Sequence, residues 1–222
     1  MIPLRDTQPS HTVPVVTIGI IVVNVVVFIH ELSLDAFSRN YFIATYGLIP
    51  ARFEAANLVT SMFLHGGWLH LLGNMWFLWI FGDNVEDILG RWKYLLFYLM
   101  AGVAAAATHV AFNPYSRVPT VGASGAIAGV MGAYIVTFPR ARVLTLVPVF
   151  ILFTWIELPA IFVIGFWFII QLFSGVASIG YSQLQQGGTA WWAHVGGFVA
   201  GIVLIKLLPT RRPHRRRPEL HW

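Results

Sequence analysis

Stretches of mainly apolar residues alternate with shorter polar connections along most of the chain. A helix that crosses a bilayer needs about 20 apolar residues, and six stretches come close to that length. They cover residues 13–31, 66–82, 92–112, 123–138, 158–175 and 190–208. The pattern predicts an all-α, polytopic membrane protein whose six transmembrane helices form one membrane domain at 13–208. A short cytoplasmic segment at 1–12 and a basic cytoplasmic tail at 209–222 flank that domain.

A further apolar run, at 143–156, is long enough to be considered as a seventh span. It contains Pro148, follows Arg142 and leads directly into Glu157. A proline inside the run and charges at both of its ends disfavour a helix that crosses the bilayer. We therefore interpret the run as a connection that lies at the membrane interface.

The distribution of basic residues gives the predicted helices a direction. Six spans place both termini on the same side of the membrane. With the termini in the cytoplasm, the inner segments hold eleven of the fourteen lysines and arginines, and the outer segments hold three, Arg39, Arg52 and Arg117. This bias follows the positive-inside rule. A seventh span would move the six basic residues from Lys206 onward to the outside and remove the bias.

The composition indicates that lipid is the solvent. Hydrophobic residues make up 57% of the chain and charged residues 10%, whereas a soluble domain has about 25% charged residues. Disulfides and thiolate chemistry are excluded, because the chain has no cysteine. The net charge of +5 could suggest nucleic-acid binding, but six basic residues follow the last apolar stretch, where topology and anionic headgroups explain them better. We expect the lipid bilayer, and no nucleic acid, as a partner.

Polar side chains within the predicted spans are candidates for function, because placing them inside a membrane is costly. The predicted topology puts His65, His70 and Asn74 at the outer end of the second helix. It puts Ser124 in the first turn of the fourth helix and His194 about one turn into the sixth. Polar residues from three helices are thus expected at a similar depth in the outer half of the membrane.

Ser124 and His194 fit the roles of a nucleophile and its base. Ser124 lies among small residues in Gly122-Ala123-Ser124-Gly125, at a helix start where free backbone N–H groups can stabilise an oxyanion. The serine could instead only cap the helix, and His194 could instead bind a backbone carbonyl of a neighbouring helix. Histidine is the usual general base near neutral pH, and a serine nucleophile needs such a base within hydrogen-bond reach.

Small residues recur every four positions on the two helices that carry the serine and the histidine. They are Gly125 and Gly129 on the fourth helix, and Ala193, Gly197 and Gly201 on the sixth. Such faces let membrane helices pack backbone to backbone. We expect this packing to bring Ser124 and His194 within range of each other.

The positions of the acidic residues and of the other histidines indicate which further groups accompany Ser124 and His194. None of the nine acidic residues lies in the fourth or sixth helix or in the loops at their outer ends, so we expect a Ser-His dyad without a carboxylate. A metal bound by His65, His70 and His194 is an alternative, but no carboxylate or thiolate joins them, and we expect no metal and no cofactor. His70 and Asn74 share a helical face, and we interpret them as oxyanion donors that act with the Ser124 amide.

Three motifs together resemble those of the rhomboid family of intramembrane serine proteases. They are His65-Gly66-Gly67-Trp68-Leu69-His70-Leu71-Leu72-Gly73-Asn74, then Gly122-Ala123-Ser124-Gly125, then Ala193-His194-Val195-Gly196-Gly197 with Gly201. The likeness extends over residues 13–208, with the motifs in the family's order and on the corresponding helices.

The resemblance implies a six-helix bundle with a water-filled cavity that opens to the outside. It implies an endopeptidase that cleaves single-pass membrane proteins in or near their transmembrane segments, with Ser124 as nucleophile and His194 as base. The oxyanion hole would consist of His70, Asn74 and the Ser124 amide. The remaining motif residues would support the cavity or the helix packing: His65, Gly122 and Gly125 for the cavity, and Gly129, Gly197 and Gly201 for the packing. The fifth helix and the 176–190 loop would act as gate and cap.

The sequence departs from the family pattern at two places. Some members have an aromatic residue four positions after the nucleophile, stacked on the catalytic histidine, but here that residue is Ala128. Other contacts must therefore orient His194. Many members have Trp-Arg in the first outer loop, but here the nearest piece is Ala51-Arg52-Phe53, and that motif is not carried over.

The sequence leaves one alternative function open and predicts a location for the protein. The alternative function is that of a non-catalytic membrane protein, such as a transporter or a client-binding relative, which would use the same polar cavity to bind and not to cut. The short termini and the basic tail favour a multi-pass protein of a bacterial plasma membrane, with both termini cytoplasmic and the active site opening outward.

Overall fold

A computed structural model describes residues 2–149, 152–178 and 190–210, which form eight α-helices and three β-strands. In chain order these are β1 (Ile2–Asp6), α1 (Val15–Ser33), α2 (Ala36–Tyr46), α3 (Asn57–Thr60), α4 (Trp68–Leu89), α5 (Arg91–Phe112), α6 (Ser124–Thr137), β2 (Arg142–Val149), β3 (Leu152–Pro159), α7 (Ala160–Ser178) and α8 (Trp191–Leu207). Each of the six predicted spans coincides with one long helix. The first predicted loop contains α2, α3 and two 3₁₀ turns, Pro50–Arg52 and Ser61–Phe63.

The outward faces of the long helices suit a lipid environment. Large apolar side chains are exposed there, among them Val26 on α1, Trp79 on α4 and Phe162 on α7. Soluble proteins rarely expose contiguous apolar surface on this scale. Among the described helices, α1 and α5 are long and apolar enough to cross a membrane. The number of spans, six, therefore stays a prediction.

Helix α6 occupies the centre of the bundle, with α4, α5, α7 and α8 packed around it. Residues 125–134 are all buried, and α6 contains no charged residue, as expected for a helix covered on every side. Its glycines are needed for this packing, because a Cβ at Gly125 or Gly129 would lie 2.6 Å from a methyl group of α5. Ser124, the first residue of α6, is thereby held at one end of a closely packed core.

Two local features fix α4, the helix that carries His70 and Asn74. Gly90 alone joins α4 to α5, with a φ of 75° that favours glycine, so the chain reverses within one residue. The carboxylate of Glu86 accepts hydrogen bonds from the backbone N–H groups of Val16 and Thr17 at 2.9 and 2.8 Å. Glu86 thus satisfies donors at the N-terminus of α1 that have no partner within that helix.

The prediction of an all-α fold is wrong at one end of the bundle, where β1, β2 and β3 form an antiparallel sheet in that order. The run at 143–156 belongs to the β2–β3 hairpin, with Val143 opposite Leu158 and Leu146 opposite Trp155. It is a connection between α6 and α7 and not a seventh helix, as predicted. Strand β2 was missed because both of its faces are largely apolar. The alternation of β2 is visible only in burial, since Val143 and Thr145 are buried and Leu144 and Leu146 are partly exposed.

The segment at 1–12 packs against the membrane domain. Its strand β1 pairs with β2, with a register shift between Pro3 and Arg5. The carbonyl of Pro3 accepts a hydrogen bond from the indole N–H of Trp76 on α4 at 2.7 Å. The basic tail from residue 211 onward lies outside the described residues.

Candidate active site

The side chains of Ser124 and His194 meet inside the bundle, with Ser124 Oγ 2.7 Å from His194 Nε2. The small residues predicted to allow this do so directly. A Cβ added at Gly197 would overlap the carbonyl oxygen of Gly125, and one added at Gly201 would overlap that of Gly129. Helices α6 and α8 therefore touch backbone to backbone. This packing lies beside the serine and the histidine, whose side chains are within hydrogen-bond range of each other.

Ser124 is not the cap of its helix. The N-cap position is occupied by Ala123, and no side-chain hydrogen bond caps α6. The serine hydroxyl is engaged by His194 instead. As the first helical residue, Ser124 has a backbone N–H without an acceptor within the helix, close to the positive end of the helix dipole. Both properties suit an oxyanion site.

His194 is held by a residue that the sequence analysis did not identify. Its Nδ1 lies 2.6 Å from Oε1 of Gln171 on α7, and both side chains are buried. A glutamine oxygen only accepts hydrogen bonds, so Nδ1 carries the proton and Nε2 is free to accept the Ser124 hydroxyl. A signal was present in the sequence, since Gln171 is the one strongly polar residue of the fifth predicted span.

Aromatic rings complete the surroundings of His194. Trp167, one turn before Gln171 on α7, has its ring centroid 5.5 Å from that of His194, with the planes inclined by 44°. Trp191 approaches the same ring edge-on at 6.5 Å. Ala128, which offers nothing to stack on, is fully buried in α6. Contacts from α7 and α8 thus surround the His194 ring, whereas position 128, an alanine, provides no aromatic ring to stack on it.

A cavity of about 640 Å³ opens beside the Ser124–His194 pair. The predicted oxyanion donors His70 and Asn74 line this cavity, as do Gln171 and Trp167. Gly122 leaves space for the side chains of His70 and Asn74. Its φ of 123° favours glycine, and a Cβ there would lie 2.7 Å from the imidazole of His70. The described structure therefore brings Ser124, His194, His70 and Asn74 to one cavity.

His65 lies behind this cavity and does not line it. It is fully buried, and its Nε2 accepts a hydrogen bond from Nδ2 of Asn74 at 3.0 Å. Burial, with a smaller contribution from the nearby His70, lowers the pKa of His65 to about 4. The ring is therefore neutral at neutral pH and keeps a nitrogen available as an acceptor. The hydrogen bond from Asn74 connects His65 to a residue of the cavity wall, and the role of His65 as cavity support stays a prediction.

The metal alternative does not fit this arrangement. Nε2 of His194 faces the Ser124 hydroxyl and Nε2 of His65 faces the Asn74 amide, so the two histidines direct these nitrogens at different partners. Among the described residues, no group of three or more histidine, aspartate or glutamate side chains is arranged to hold a metal ion.

Much of the 176–190 loop, predicted as part of a gate and cap, lies outside the described residues.

Comparison with known proteins places the chain in a family. Residues 52–211 match the model of the Rhomboid domain. The chain is 31% identical over 169 residues to Rhomboid-like protein 11, chloroplastic, of Arabidopsis thaliana, covering 73% of this chain and 55% of that protein. It is 26% identical over 175 residues to Rhomboid protein 1, mitochondrial, of Saccharomyces cerevisiae, covering 75% of this chain and 46% of that protein.

A bacterial relative matches over a shorter region. Rhomboid protease GluP of Bacillus subtilis is 42% identical over 83 residues, which cover 37% of this chain and 16% of that protein. The chain spans about half the length, or less, of these relatives. The Rhomboid domain match covers well over half of the chain and includes all three motifs. The chain therefore belongs to the rhomboid family of helical, integral membrane proteins.

Proposed function

We propose that this chain is an intramembrane serine endopeptidase that uses Ser124 and His194 to cleave single-pass membrane proteins within or near their transmembrane segments. The observation that carries the proposal is the 2.7 Å hydrogen bond between Ser124 Oγ and His194 Nε2. A partly buried serine bonded to an unprotonated imidazole nitrogen is the arrangement that activates a hydroxyl for attack. A pair that only binds a client has no need of it.

In the first half of the reaction, Ser124 Oγ attacks the carbonyl carbon of the scissile peptide bond. The hydroxyl proton passes to Nε2 of His194, and the carbonyl oxygen becomes an oxyanion. The tetrahedral intermediate then collapses, the C–N bond breaks, and the leaving amine takes the proton from Nε2. The products of this half are a free amine terminus and an ester between the substrate acyl group and Ser124.

In the second half, water attacks the ester and gives a proton to Nε2 of His194. The second tetrahedral intermediate collapses, and Ser124 leaves as an alkoxide that takes the proton back. The acyl fragment leaves as a carboxylic acid, and the enzyme returns to its starting state. Water can reach the ester through the cavity beside Ser124, whose volume of about 640 Å³ exceeds that of many water molecules.

We assign three donors to the oxyanion. The first is the backbone N–H of Ser124. The second is Asn74, which uses one amide hydrogen for His65 and keeps the other. The third is His70, whose Nδ1 faces the Gly66 amide at 3.5 Å, which leaves the ring proton on Nε2. One oxyanion donor typically contributes ~3 kcal/mol to lowering the barrier.

The membrane setting follows from the helices and the charges. The bilayer is the solvent for the apolar outer faces, and both termini are cytoplasmic by the positive-inside bias, so that the cavity opens outward. The relatives include a chloroplastic and a mitochondrial protein as well as one from Bacillus subtilis. They do not favour the bacterial plasma membrane expected from the sequence over an organelle membrane.

The test is cleavage of a model single-pass membrane protein in detergent and in proteoliposomes. Wild type is compared with Ser124→Ala, with His194→Ala and with the matched control Ser33→Ala, which changes an exposed serine at the end of α1. We expect wild type and Ser33→Ala to produce the same two fragments. Each site variant should be slower by about 10³-fold or more. A wild type that cuts no better than either site variant, across several substrates, would overturn the proposal and favour the non-catalytic alternative.

A further inference from the structure

Gln171 is a buried polar residue on an otherwise apolar helix, and no sequence motif includes it. On α7 it is flanked by Ile170 and Leu172, both of which are exposed apolar residues. The Gln171 side chain is 6% exposed and faces the cavity. Its oxygen lies 2.6 Å from Nδ1 of His194. A polar group at this depth is costly unless a partner satisfies it, and here the partner is the base of the proposed reaction.

The contact determines which nitrogen of His194 carries the proton. A neutral imidazole has one N–H, and the nitrogen that bears it is set by the partner of the other nitrogen. Since the Gln171 oxygen accepts from Nδ1, the lone pair is on Nε2, the atom that faces Ser124 Oγ. The opposite tautomer would place an N–H against the hydroxyl and leave no base for it.

We propose that Gln171 is a positioning residue that holds His194 in the tautomer and ring orientation needed to deprotonate Ser124. This inference rests on the proposed function and adds a third member to the dyad. Trp167 acts with Gln171, because residues four apart on a helix share a face and the indole packs against the same imidazole at 5.5 Å. Helix α7 thus fixes the base at two points, and the amide does so without adding a negative charge.

The hydrogen bond gains strength as the reaction proceeds. When Nε2 takes the serine proton, the ring becomes cationic, and the Nδ1–H···O bond to Gln171 becomes charge-assisted. A charged hydrogen bond contributes roughly two to three times more than a neutral one. Gln171 therefore stabilises the transition state more than the ground state, and its loss should lower kcat with little change in KM.

The experiment compares Gln171→Leu, Gln171→Met and Gln171→Glu with wild type, Ser124→Ala and the control Leu172→Ala, which changes the neighbouring exposed residue. Rates are taken on monodisperse full-length protein and normalised to folded molecules by thermal unfolding, from pH 5 to 9. We expect Gln171→Leu and Gln171→Met to lower kcat by about 10- to 100-fold, with KM within about twofold. Leu172→Ala should match wild type.

Gln171→Glu separates positioning from packing. A carboxylate still accepts from Nδ1, so we expect this variant to recover most of the activity lost in Gln171→Leu. A carboxylate also favours the protonated ring, so the acidic limb of its pH–rate profile should move to higher pH. A residue that only fills space would give the opposite order, with Leu and Met active, Glu impaired and the profile unmoved.

The outcomes distinguish this inference from the proposed function. If wild type cleaves no faster than Ser124→Ala, the proposed function fails and Gln171 has no reaction to serve. If wild type cleaves and either apolar variant keeps full kcat with an unchanged pH profile, the positioning role is overturned and the Ser-His dyad stands alone. Should Gln171→Leu fail to fold, Gln171→Met and Gln171→Glu decide the question by the same criteria.

Discussion

The two ends of α6 are held by different kinds of contact. At its start, Ser124 meets His194 because Gly125 and Gly197 let two backbones touch. Near its other end, Tyr134 donates a hydrogen bond to Asp6 of β1, beside a sheet that no motif predicted. The contacts at the first end require glycines, which have no side chain, whereas the contact at the second end is made by the side chains of Tyr134 and Asp6. We infer that the first end carries both the chemistry and the packing of α8, whereas the second end contributes to stability alone, and each mutation described next tests that division.

The largest expected effect comes from adding one methyl group at the α6–α8 contact. Gly197→Ala places a Cβ against the Gly125 carbonyl oxygen, a backbone atom that cannot rotate away. We expect the free energy of unfolding to fall by about 3 kcal/mol. We expect cleavage to fall by about 10²-fold or more, because small displacements of catalytic groups are costly. Thermal unfolding in detergent and fragment analysis on gels measure the two effects.

The matched control for that change is Gly19→Ala on α1, where nothing lies within 4 Å of the added Cβ. Its stability should be unchanged or slightly raised, since alanine is favoured over glycine within helices. Full activity in Gly197→Ala would show that close backbone packing is not what brings the serine and the histidine together.

A smaller effect is expected at the oxyanion donors. His70→Ala removes one of three proposed donors and leaves the α6–α8 contact intact. We expect kcat to fall by about 10²-fold, with a change in melting temperature of only a few degrees. Single-turnover kinetics with a saturating excess of enzyme over substrate measure this loss. A variant that loses binding but keeps its single-turnover rate would assign His70 to substrate contact and not to the oxyanion.

At the other end of α6, Tyr134→Phe should affect stability and not chemistry. Removing the hydroxyl leaves Asp6 with one partner fewer, and we expect the free energy of unfolding to fall by about 1 kcal/mol. Cleavage per folded molecule should stay within about twofold of wild type. A tenfold loss of activity in fully folded Tyr134→Phe would mean that the two ends of α6 are coupled.

The smallest effect is a pH dependence confined to the sheet end. Burial, with Asp83 adding to it and the Tyr134 hydrogen bond opposing it, raises the pKa of Asp6 from 3.8 to about 6. The folded protein therefore binds a proton more tightly than the unfolded chain does between these two values. Stability should be highest below about pH 4 as far as this group is concerned, and should decline as the pH rises to about 6.

Hydrogen exchange of the β1 amides at pH 5 and pH 7 tests this dependence, after correction for the intrinsic exchange rate. We expect greater protection at pH 5 in wild type. In Asp6→Asn, which keeps the shape and removes the charge, the difference should be smaller. Greater protection at the higher pH would contradict the raised pKa of Asp6.

The two ends of α6 also differ in how much of their structure the sequence predicts. The Ser124–His194 contact was predictable, because small residues four apart and polar residues within apolar spans are local signals. The same rule applies to Gln171, a polar residue within an apolar span, but Gln171 lies outside the three motifs. Its partner could not be read from the sequence, because which face of α7 points toward α8 depends on packing.

The three-stranded sheet could not be predicted from local sequence patterns. Strand β2 is apolar on both faces, so it lacks the alternation that identifies a half-buried strand. Strand β1 contains Pro3, which argues against a strand in a sequence reading, and it pairs with residues about 140 positions further along the chain. No periodicity within 1–12 identifies such a partner. The predicted spans, in contrast, matched the long helices because each helix carries its own pattern.

The most direct test of Ser124 as the nucleophile is to map a fluorophosphonate adduct by mass spectrometry, alongside inhibition of substrate cleavage. We predict one adduct, on the peptide that contains Ser124, with cleavage lost in proportion to its occupancy. Ser124→Ala should show no adduct, and His194→Ala should react far more slowly. An adduct that persists in Ser124→Ala, or cleavage that continues when Ser124 is fully modified, would contradict the assignment.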